Sequence, residues 1–226
     1  MADAASAILL LSQWRRAQAD APESLSAMPQ FANSAAFDDA RSWLLALGTD
    51  LSPDKALLDA RGNVIAHART GGMLDPERHV LRAKSTIYRF GGSRPPRDIA
   101  KGGWWIEARQ FTLLLNFAIS HDIYLGLAMR LLCLVPPEWS EATVLIRGRV
   151  DQDLLAWRGL GNSVVTPMKG AKTLVRMPHQ NDISARRVHQ LFIPGLADLS
   201  SPLPPIAIED VRHLDPNESL LGFLYL

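Results

Sequence analysis

The spacing of apolar residues predicts helices in the N-terminal part of the chain. Asp3 can cap a helix over residues 4–19, in which the apolar side chains form one stripe. Residues 20–30 contain two prolines and several small polar residues, which is typical of a loop. A second helix is predicted from residue 33 or 34 to residue 47, and Gly48 is placed to end it.

Between this helix and residue 80, turn residues separate short elements. Pro53 opens a short helix up to Ala60, and residues 64–67 read as a brief strand. Asp75-Pro76-Glu77 predicts a helix start, because proline fits the first helical position. The pair Gly71-Gly72 is taken as a domain boundary. It divides a mainly helical N-terminal region, residues 1–72, from a second domain, residues 73–226.

From residue 83 onward, short apolar runs separated by prolines predict strands. The longer helices of this part are predicted at 106–120 and 121–132. The predicted strands are 85–90, 132–135, 143–150, 154–158, 163–166, 173–177, 188–193 and 220–226. Because strands and helices do not alternate regularly, a doubly wound parallel sheet is not expected. The prediction is an α+β protein, with a short N-terminal helical region, then a mixed α/β domain whose C-terminal part is rich in strands.

The composition of the 226 residues, 47% hydrophobic and 21% charged, is that of a globular core. A net charge of +1 gives no overall field that would attract nucleic acid or anionic lipid. The single cysteine, Cys133, excludes an internal disulfide and suits a reducing compartment. No signal peptide and no apolar run of about 18 residues is found, so we expect a cytoplasmic protein without a membrane partner. A protein injected into a target cell would look the same.

The most unusual local sequence runs from Ile87 to Gly103. A short strand ends in Arg89, a Gly91-Gly92 turn follows, and Arg94-Pro95-Pro96 forms a rigid corner before a single helical turn and a glycine pair. Arginine offers a bidentate fork to a phosphate, and glycines let the backbone approach it closely. One of the two tryptophans that follow, at 104 and 105, can stack on a flat ring. The alternative interpretation is a structural strand followed by a proline-rich surface turn.

This segment resembles the start of the catalytic domain in ADP-ribosylating toxins of the cholera-toxin group. The matching residues, in order, are Tyr88, Arg89, Ser93, Arg94, Pro95, Pro96, Ile99, Gly102 and Gly103, with one extra residue between Arg89 and Ser93. The resemblance implies NAD as the substrate and Arg89 as the residue that holds the NAD pocket together. The strand-ending arginine is also similar to that of the RES-domain toxins, which degrade NAD.

The rest of the chain departs from that family pattern. The family has a Ser-Thr-Ser strand and a late Glu-x-Glu, and neither occurs here. Ser163 is a substitute for the strand hydroxyl, and Gln190 for a side chain that binds a ribose hydroxyl. Glu209 is the candidate late carboxylate. Glu107 lies nearest in sequence to the stretch from Ile87 to Gly103, which is called the arginine segment below. A glutamine carries no negative charge for an oxocarbenium ion, so it would weaken hydrolysis or favour binding alone.

The leading hypothesis is an enzyme that transfers ADP-ribose from NAD to a protein or nucleic-acid target, or that cleaves NAD. The candidate catalytic residues are Arg89, Ser163, Gln190 and Glu209. The candidate NAD-binding residues are Tyr88, Arg89, Gly91, Gly92, Ser93, Arg94, Trp104 and Trp105. No zinc-ligand spacing, P-loop or esterase-type serine motif is present, so no metal is expected.

The second hypothesis is a non-enzymatic interaction protein, either an adaptor or a toxin-neutralising partner, on a degenerate ADP-ribosyltransferase-like fold. The two missing motifs favour it, as does a C-terminal tail, residues 220–226, that could add a strand to a partner. An acidic side chain facing Arg89 across a cleft would favour the enzyme, and a cleft without one would favour the adaptor.

Overall fold

The computed structural model describes residues 31–51, 56–58, 60–61, 64–67, 70–167, 173–177, 188–197 and 204–215. The helix predicted over 4–19, the loop over 20–30 and the strand over 220–226 lie outside these residues. The helices are α1 Ser34–Asp38, α2 Ala40–Ala46, α3 Pro96–Ala100, α4 Ala108–Ser120 and α5 Leu125–Cys133. The strands are β1 Ala56–Leu58, β2 Val64–His67, β3 Met73–Leu81, β4 Thr86–Gly91, β5 Trp104–Glu107, β6 Val144–Val150, β7 Leu154–Gly161, β8 Val164–Pro167, β9 Leu174–Met177, β10 His189–Phe192 and β11 Ile206–His213.

A seven-stranded sheet in the order β11-β6-β4-β5-β10-β7-β3 forms the centre of the fold. Every neighbouring pair in it is antiparallel. Two further antiparallel pairs, β1-β2 and β8-β9, stand apart from it. The predicted α+β class is confirmed, and the described strands contain no parallel pair of the kind that a doubly wound sheet requires.

Three clusters of buried apolar side chains connect the helices to the sheet. The first joins α4 and α5 to β4 and includes the stacked rings of Tyr88 and Phe111, 4.0 Å apart. The second holds Trp105 between strands and the short α3. The third joins α1 and α2 to β3 and β7, where Phe37 stacks on Trp157 at 4.4 Å. The N-terminal helices therefore bury their apolar faces directly against the central sheet.

Asn33 holds the chain before α1 against β7. Its side chain is 2% exposed, accepts from the Leu155 amide at 2.9 Å and donates to the carbonyls of Leu155 and Pro194. The predicted helix cap at this residue is therefore a link between segments, since its side chain makes no capping bond to α1. The predicted single helix is two helices, because Asp39 is extended and caps α2 through the Arg41 amide.

The predicted helix start at Asp75-Pro76-Glu77 is wrong, since these residues belong to β3. The register with β7 shifts between Leu74 and Glu77, and Asp75 has a φ of 41°, so this part of the strand is a bulge. β3 lies at the edge of the sheet, where a proline does not interrupt a hydrogen-bonded ladder on both sides. The edge position therefore overrides the local preference of proline for a helix start.

Other element boundaries differ for similar reasons. The predicted strand 132–135 is wrong, because α5 runs to Cys133 and ends at Leu134 with a left-handed φ of 54°. The helix predicted from 106 begins at Ala108, since β5 takes residues 104–107. The short helix predicted up to Ala60 is wrong over 56–58, which form β1, and β11 was not predicted. Short apolar runs do not distinguish helix from strand until their packing partners are known.

Candidate functional site

Backbone pairing between β4 and β5 stops after two residue pairs, next to Arg89. These strands pair only through Ile87 with Glu107 and through Tyr88 with Ile106. Beyond this point Nη1 of Arg89 donates a hydrogen bond to the carbonyl oxygen of Trp104. The side chain of Arg89 therefore contacts the β5 backbone at the place where strand pairing stops.

Gly102 makes room for the guanidinium of Arg89. A Cβ atom on Gly102 would lie 1.9 Å from Nη2 of Arg89, so any larger residue would displace the arginine head. The ring of Trp105 lies below it, with Cζ of Arg89 6.0 Å from the ring centroid. The glycine and the tryptophan thus define where the positive charge sits.

The charge of Arg89 has no anionic partner in the described part of the chain. None of the ion pairs there includes it, and its Nε is buried without a hydrogen-bond partner. Burial, and then the nearby charge of Arg94, lower the pKa of Arg89 to about 10. The arginine is still charged at neutral pH. A desolvated and unpaired cation of this kind favours binding of an anion.

Arg89 lines a cavity of about 710 Å³, within the size range of ligand sites in proteins. The wall is built from the open ends of β4 and β5, the start of β10, the end of α5, the α2–β1 connection and β8. The predicted site residues that line it are Tyr88, Arg89, Trp104, Trp105 and Gln190. Residues about 100 positions apart in sequence thus meet in one place.

The aromatic walls of the cavity have different roles. Trp105 is 2% exposed, and its indole N–H donates to the Gly102 carbonyl at 2.8 Å, so it is a fixed wall. Tyr88 is stacked on Phe111, and burial raises the pKa of its phenol. Trp104 is half-buried and tilted by 48° against Phe192. Of the two tryptophans, Trp104 is therefore the better placed to stack on a ligand ring.

The glycine-rich turn of the arginine segment does not line the cavity. The amide of Ser93 donates to the carboxylate of Glu141 at 2.9 Å, and a Cβ atom on Gly92 would meet the same carboxylate at 2.7 Å. Gly91 packs against Ile99, which leaves no space for a side chain. The backbone amide expected to approach a phosphate is thus bound to a carboxylate of the protein.

Arg94, Ser163 and Glu209 also lie outside the cavity wall. Arg94 is exposed and acts on the site only through its charge near Arg89. Ser163 is exposed between β7 and β8, where its carbonyl accepts from the Gly71 amide. Glu209 lies on the edge strand β11 and is 3.5 Å from both Arg147 and Arg149. The structure therefore does not bring these three residues together with Arg89.

Sequence reasoning missed the cavity residues that lie outside the central sheet. Asp50 and Thr49 come from the α2–β1 connection, Thr166 from β8, and Trp139 from the turn after α5. Asp50 is the one carboxylate among the described residues that line the cavity. No local motif marks these positions, because each reaches the cavity through contacts between segments distant in sequence.

Glu107 faces away from the cavity, into a separate cluster on β3 and β7. Its carboxylate lies 3.2 Å from Nε2 of His79 and 3.1 Å from Nε of Arg158. The His79 hydrogen bond and the charged Arg158 hold the pKa of Glu107 below its ordinary value of 4.5. This carboxylate, although near the arginine segment in sequence, is thus bound elsewhere.

Glu107 is expected to make stability depend on pH in the acidic range. Because its pKa is depressed in the folded protein, ionised Glu107 stabilises the fold above its unfolded-state pKa, and this is lost as pH falls through the folded pKa. Glu107→Gln should therefore lower the free energy of unfolding by about 1 kcal/mol near neutral pH. In urea unfolding between about pH 7 and about pH 3, the free energies of unfolding of the wild type and Glu107→Gln should become equal as the pH falls. A difference that does not change with pH would contradict this assignment.

Among the described residues, no group of three or more His, Cys, Asp or Glu side chains could hold a metal ion.

In the same part of the chain, no single helix has the length and apolar character needed to cross a membrane. The pair α4 and α5, bent by 118° at their junction, meets that requirement only when its members are taken together, on length and composition alone.

Fold and site together define an α+β protein with an aromatic-walled cavity that holds Arg89 and Asp50 where pairing between β4 and β5 stops. No protein-family model matches the chain, and no curated protein matches it. One chain of a solved complex, Rhs1-CT with its cognate immunity protein RhsI1, is similar to it with a TM-score of 0.37 and 11% sequence identity. The likeness covers 68% of this chain and 89% of that chain. Values this low identify neither a family nor an activity.

Proposed function

We propose that the protein binds NAD in the cavity at Arg89 and uses it either to transfer ADP-ribose to a macromolecule or to release nicotinamide by hydrolysis. The observation that carries the proposal is the unpaired charge of Arg89. It is half-buried, donates a hydrogen bond to the Trp104 carbonyl, pairs with no carboxylate of the described residues, and forms part of the wall of a ligand-sized cavity. The diphosphate of a dinucleotide is an anion that would compensate this charge.

The remaining walls suit the other parts of a dinucleotide. Trp104 offers a partly exposed ring for a flat heterocycle, and Trp105 and Tyr88 shape the space around it. Gln190 adds a buried amide at the far side of β5. A cation, aromatic surface and a few polar groups in one concave site are typical of nucleotide-sized ligands.

The proposed chemistry breaks the bond between nicotinamide and C1′ of its ribose. Water or a target side chain attacks C1′, nicotinamide departs with the bonding electrons, and the attacking group loses its proton. A carboxylate near C1′ would stabilise the positive charge that develops on the ribose. Asp50 is the candidate, since it lines the cavity from the wall that lies outside the sheet. In this proposal Asp50 takes the role for which the sequence suggested Glu209.

Calorimetric titration of NAD into the wild type and Arg89→Ala tests the proposal. Loss of charged hydrogen bonds, worth about 1.5–3 kcal/mol, should weaken binding about tenfold to hundredfold. Gly102→Ala should weaken it as well, because the new Cβ displaces the arginine head. Arg97→Ala is the charge-matched control, since Arg97 is exposed on α3 and outside the cavity. Equal affinities for NAD in the wild type and the three variants would contradict the proposal.

A second candidate function is a non-enzymatic interaction protein, favoured by the apolar rim of the cavity. Leu45, Trp139 and Val165 line the cavity and are 39–46% exposed. Large apolar side chains grouped at one opening are typical of protein contacts. If NAD does not bind at millimolar concentration, a protein partner that inserts a side chain into this opening becomes the preferred function.

A further inference from the structure

The side-chain amide of Gln190 is held in one orientation. Its Nε2 donates to the carbonyl oxygen of Cys133 at 2.9 Å. A carbonyl oxygen can only accept, so the nitrogen must face Cys133 and the oxygen must face the other way. Gly161 leaves space for this arrangement, since a Cβ atom there would lie 2.8 Å from Nε2.

No described residue donates a hydrogen bond to the oxygen of this amide. Gln190 is 7% exposed and lines the cavity, and its bond to Cys133 involves only the nitrogen. The oxygen is not one of the buried side-chain atoms that lack a hydrogen-bond partner, so it keeps access to the cavity. A ligand that supplies an N–H or O–H group can therefore bond to it there. Gln190 is therefore a polar position in the cavity wall that accepts a hydrogen bond from a ligand donor.

The surroundings of Gln190 favour a flat ring over a sugar. Cys133, whose carbonyl binds the Gln190 nitrogen, ends α5, and the other lining residues from α5, from the position after it and from β5 are apolar or aromatic: Met129, Leu134, Trp104, Trp105 and Ile106. A ribose carries several hydroxyl groups, each of which needs its own partner when buried. A single acceptor in an apolar wall suits a heterocycle with one amide or amino group.

We propose that Gln190 selects the ligand by accepting a hydrogen bond from an N–H group on a heterocycle, either the carboxamide of nicotinamide or the amino group of adenine. The proposal rests on NAD binding in this cavity. It gives Gln190 a role in recognising a base, where the sequence suggested contact with a ribose hydroxyl. It also makes the cavity reject dinucleotides that present a carbonyl or a carboxylate at the same position.

Three dinucleotides separate the two sources of the N–H group. In nicotinic acid adenine dinucleotide a carboxylate replaces the carboxamide, and in nicotinamide hypoxanthine dinucleotide a ring carbonyl replaces the amino group of adenine. By calorimetry, one of the two should bind the wild-type protein about tenfold or more weakly than NAD. The weaker analogue identifies which ring faces Gln190. Equal binding of all three to the wild type would overturn the proposal while NAD binding itself stands.

Two variants test whether Gln190 is responsible for the difference in affinity between NAD and the weaker analogue. Gln190→Met keeps the size and removes the acceptor, so the affinity ratio between NAD and the weaker analogue should fall towards one. Gly161→Ala keeps the glutamine but forces its amide to move, and should reduce the same ratio even if Gln190→Met is poorly folded. A ratio that is unchanged in Gly161→Ala and in folded Gln190→Met overturns the proposal. Failure of NAD to bind the wild type overturns this inference and the proposed function together.

Discussion

Replacing Trp157 by alanine is expected to lower the free energy of unfolding by about 3–5 kcal/mol, as for other large aromatic residues in cores. The indole is fully buried, stacks on Phe37 at 4.4 Å and donates to the Ser42 hydroxyl at 3.0 Å. Ser42 in turn donates to the Phe37 carbonyl at 2.7 Å. The substitution would leave a cavity between β7 and the N-terminal helices and remove the donor on which this arrangement depends.

Trp157→Phe separates the contribution of ring packing from that of the indole hydrogen bond. The smaller ring keeps most of the stacking on Phe37 but cannot donate to Ser42, so about 1–2 kcal/mol should be lost. Urea unfolding of the wild type and both variants measures the series. If Trp157→Ala unfolds at nearly the wild-type midpoint, α1 and α2 do not pack on the sheet as the structure has them.

The second large effect is expected at Gly72. Gly72 has a φ of 71°, and a Cβ atom there would lie 2.2 Å from the backbone nitrogen of Gly48. Gly48 also has a positive φ, of 78°. Gly72→Ala therefore combines left-handed strain with a clash between two backbones, neither of which a side-chain rotation can relieve. A loss of about 3 kcal/mol or more is expected.

The two glycines also line the cavity, so Gly72→Ala should weaken NAD binding along with stability. Gly92→Ala is the matched control, because the three atoms nearest to the added Cβ all belong to the side chain of Glu141 and none to the backbone. It should change stability by less than about 1 kcal/mol. Thermal unfolding compares the stability of Gly72→Ala and Gly92→Ala, and the NAD titration compares their affinities. Equal stability of the two glycine variants would show that the backbones near residues 48 and 72 are not in close contact.

The arginine segment shows how far local sequence can identify a site. It placed Arg89 at the end of a strand and Trp104 and Trp105 after a glycine pair, and these residues do line one cavity. The same segment suggested that the Gly91-Gly92 turn would bind a phosphate. Glu141, nearly fifty residues later in the chain, occupies that turn. A local motif predicts what its own backbone can do, but it does not predict which distant side chain binds to it.

The pattern of apolar residues was sufficient to predict the α+β class, and the arginine segment singled out Arg89, which lines the cavity. Apolar periodicity predicted α4, α5, β4 and β6 closely, because each is long enough for its pattern to be distinctive. The local sequence did not predict that Asp75 lies in a bulged edge strand or that Asp50 lines the cavity with Arg89, since both follow from the packing of the sheet. The tertiary structure also decided which way the amide of Gln190 faces. Those features depend on contacts between segments far apart in sequence, and such contacts form only when the sheet brings the segments together.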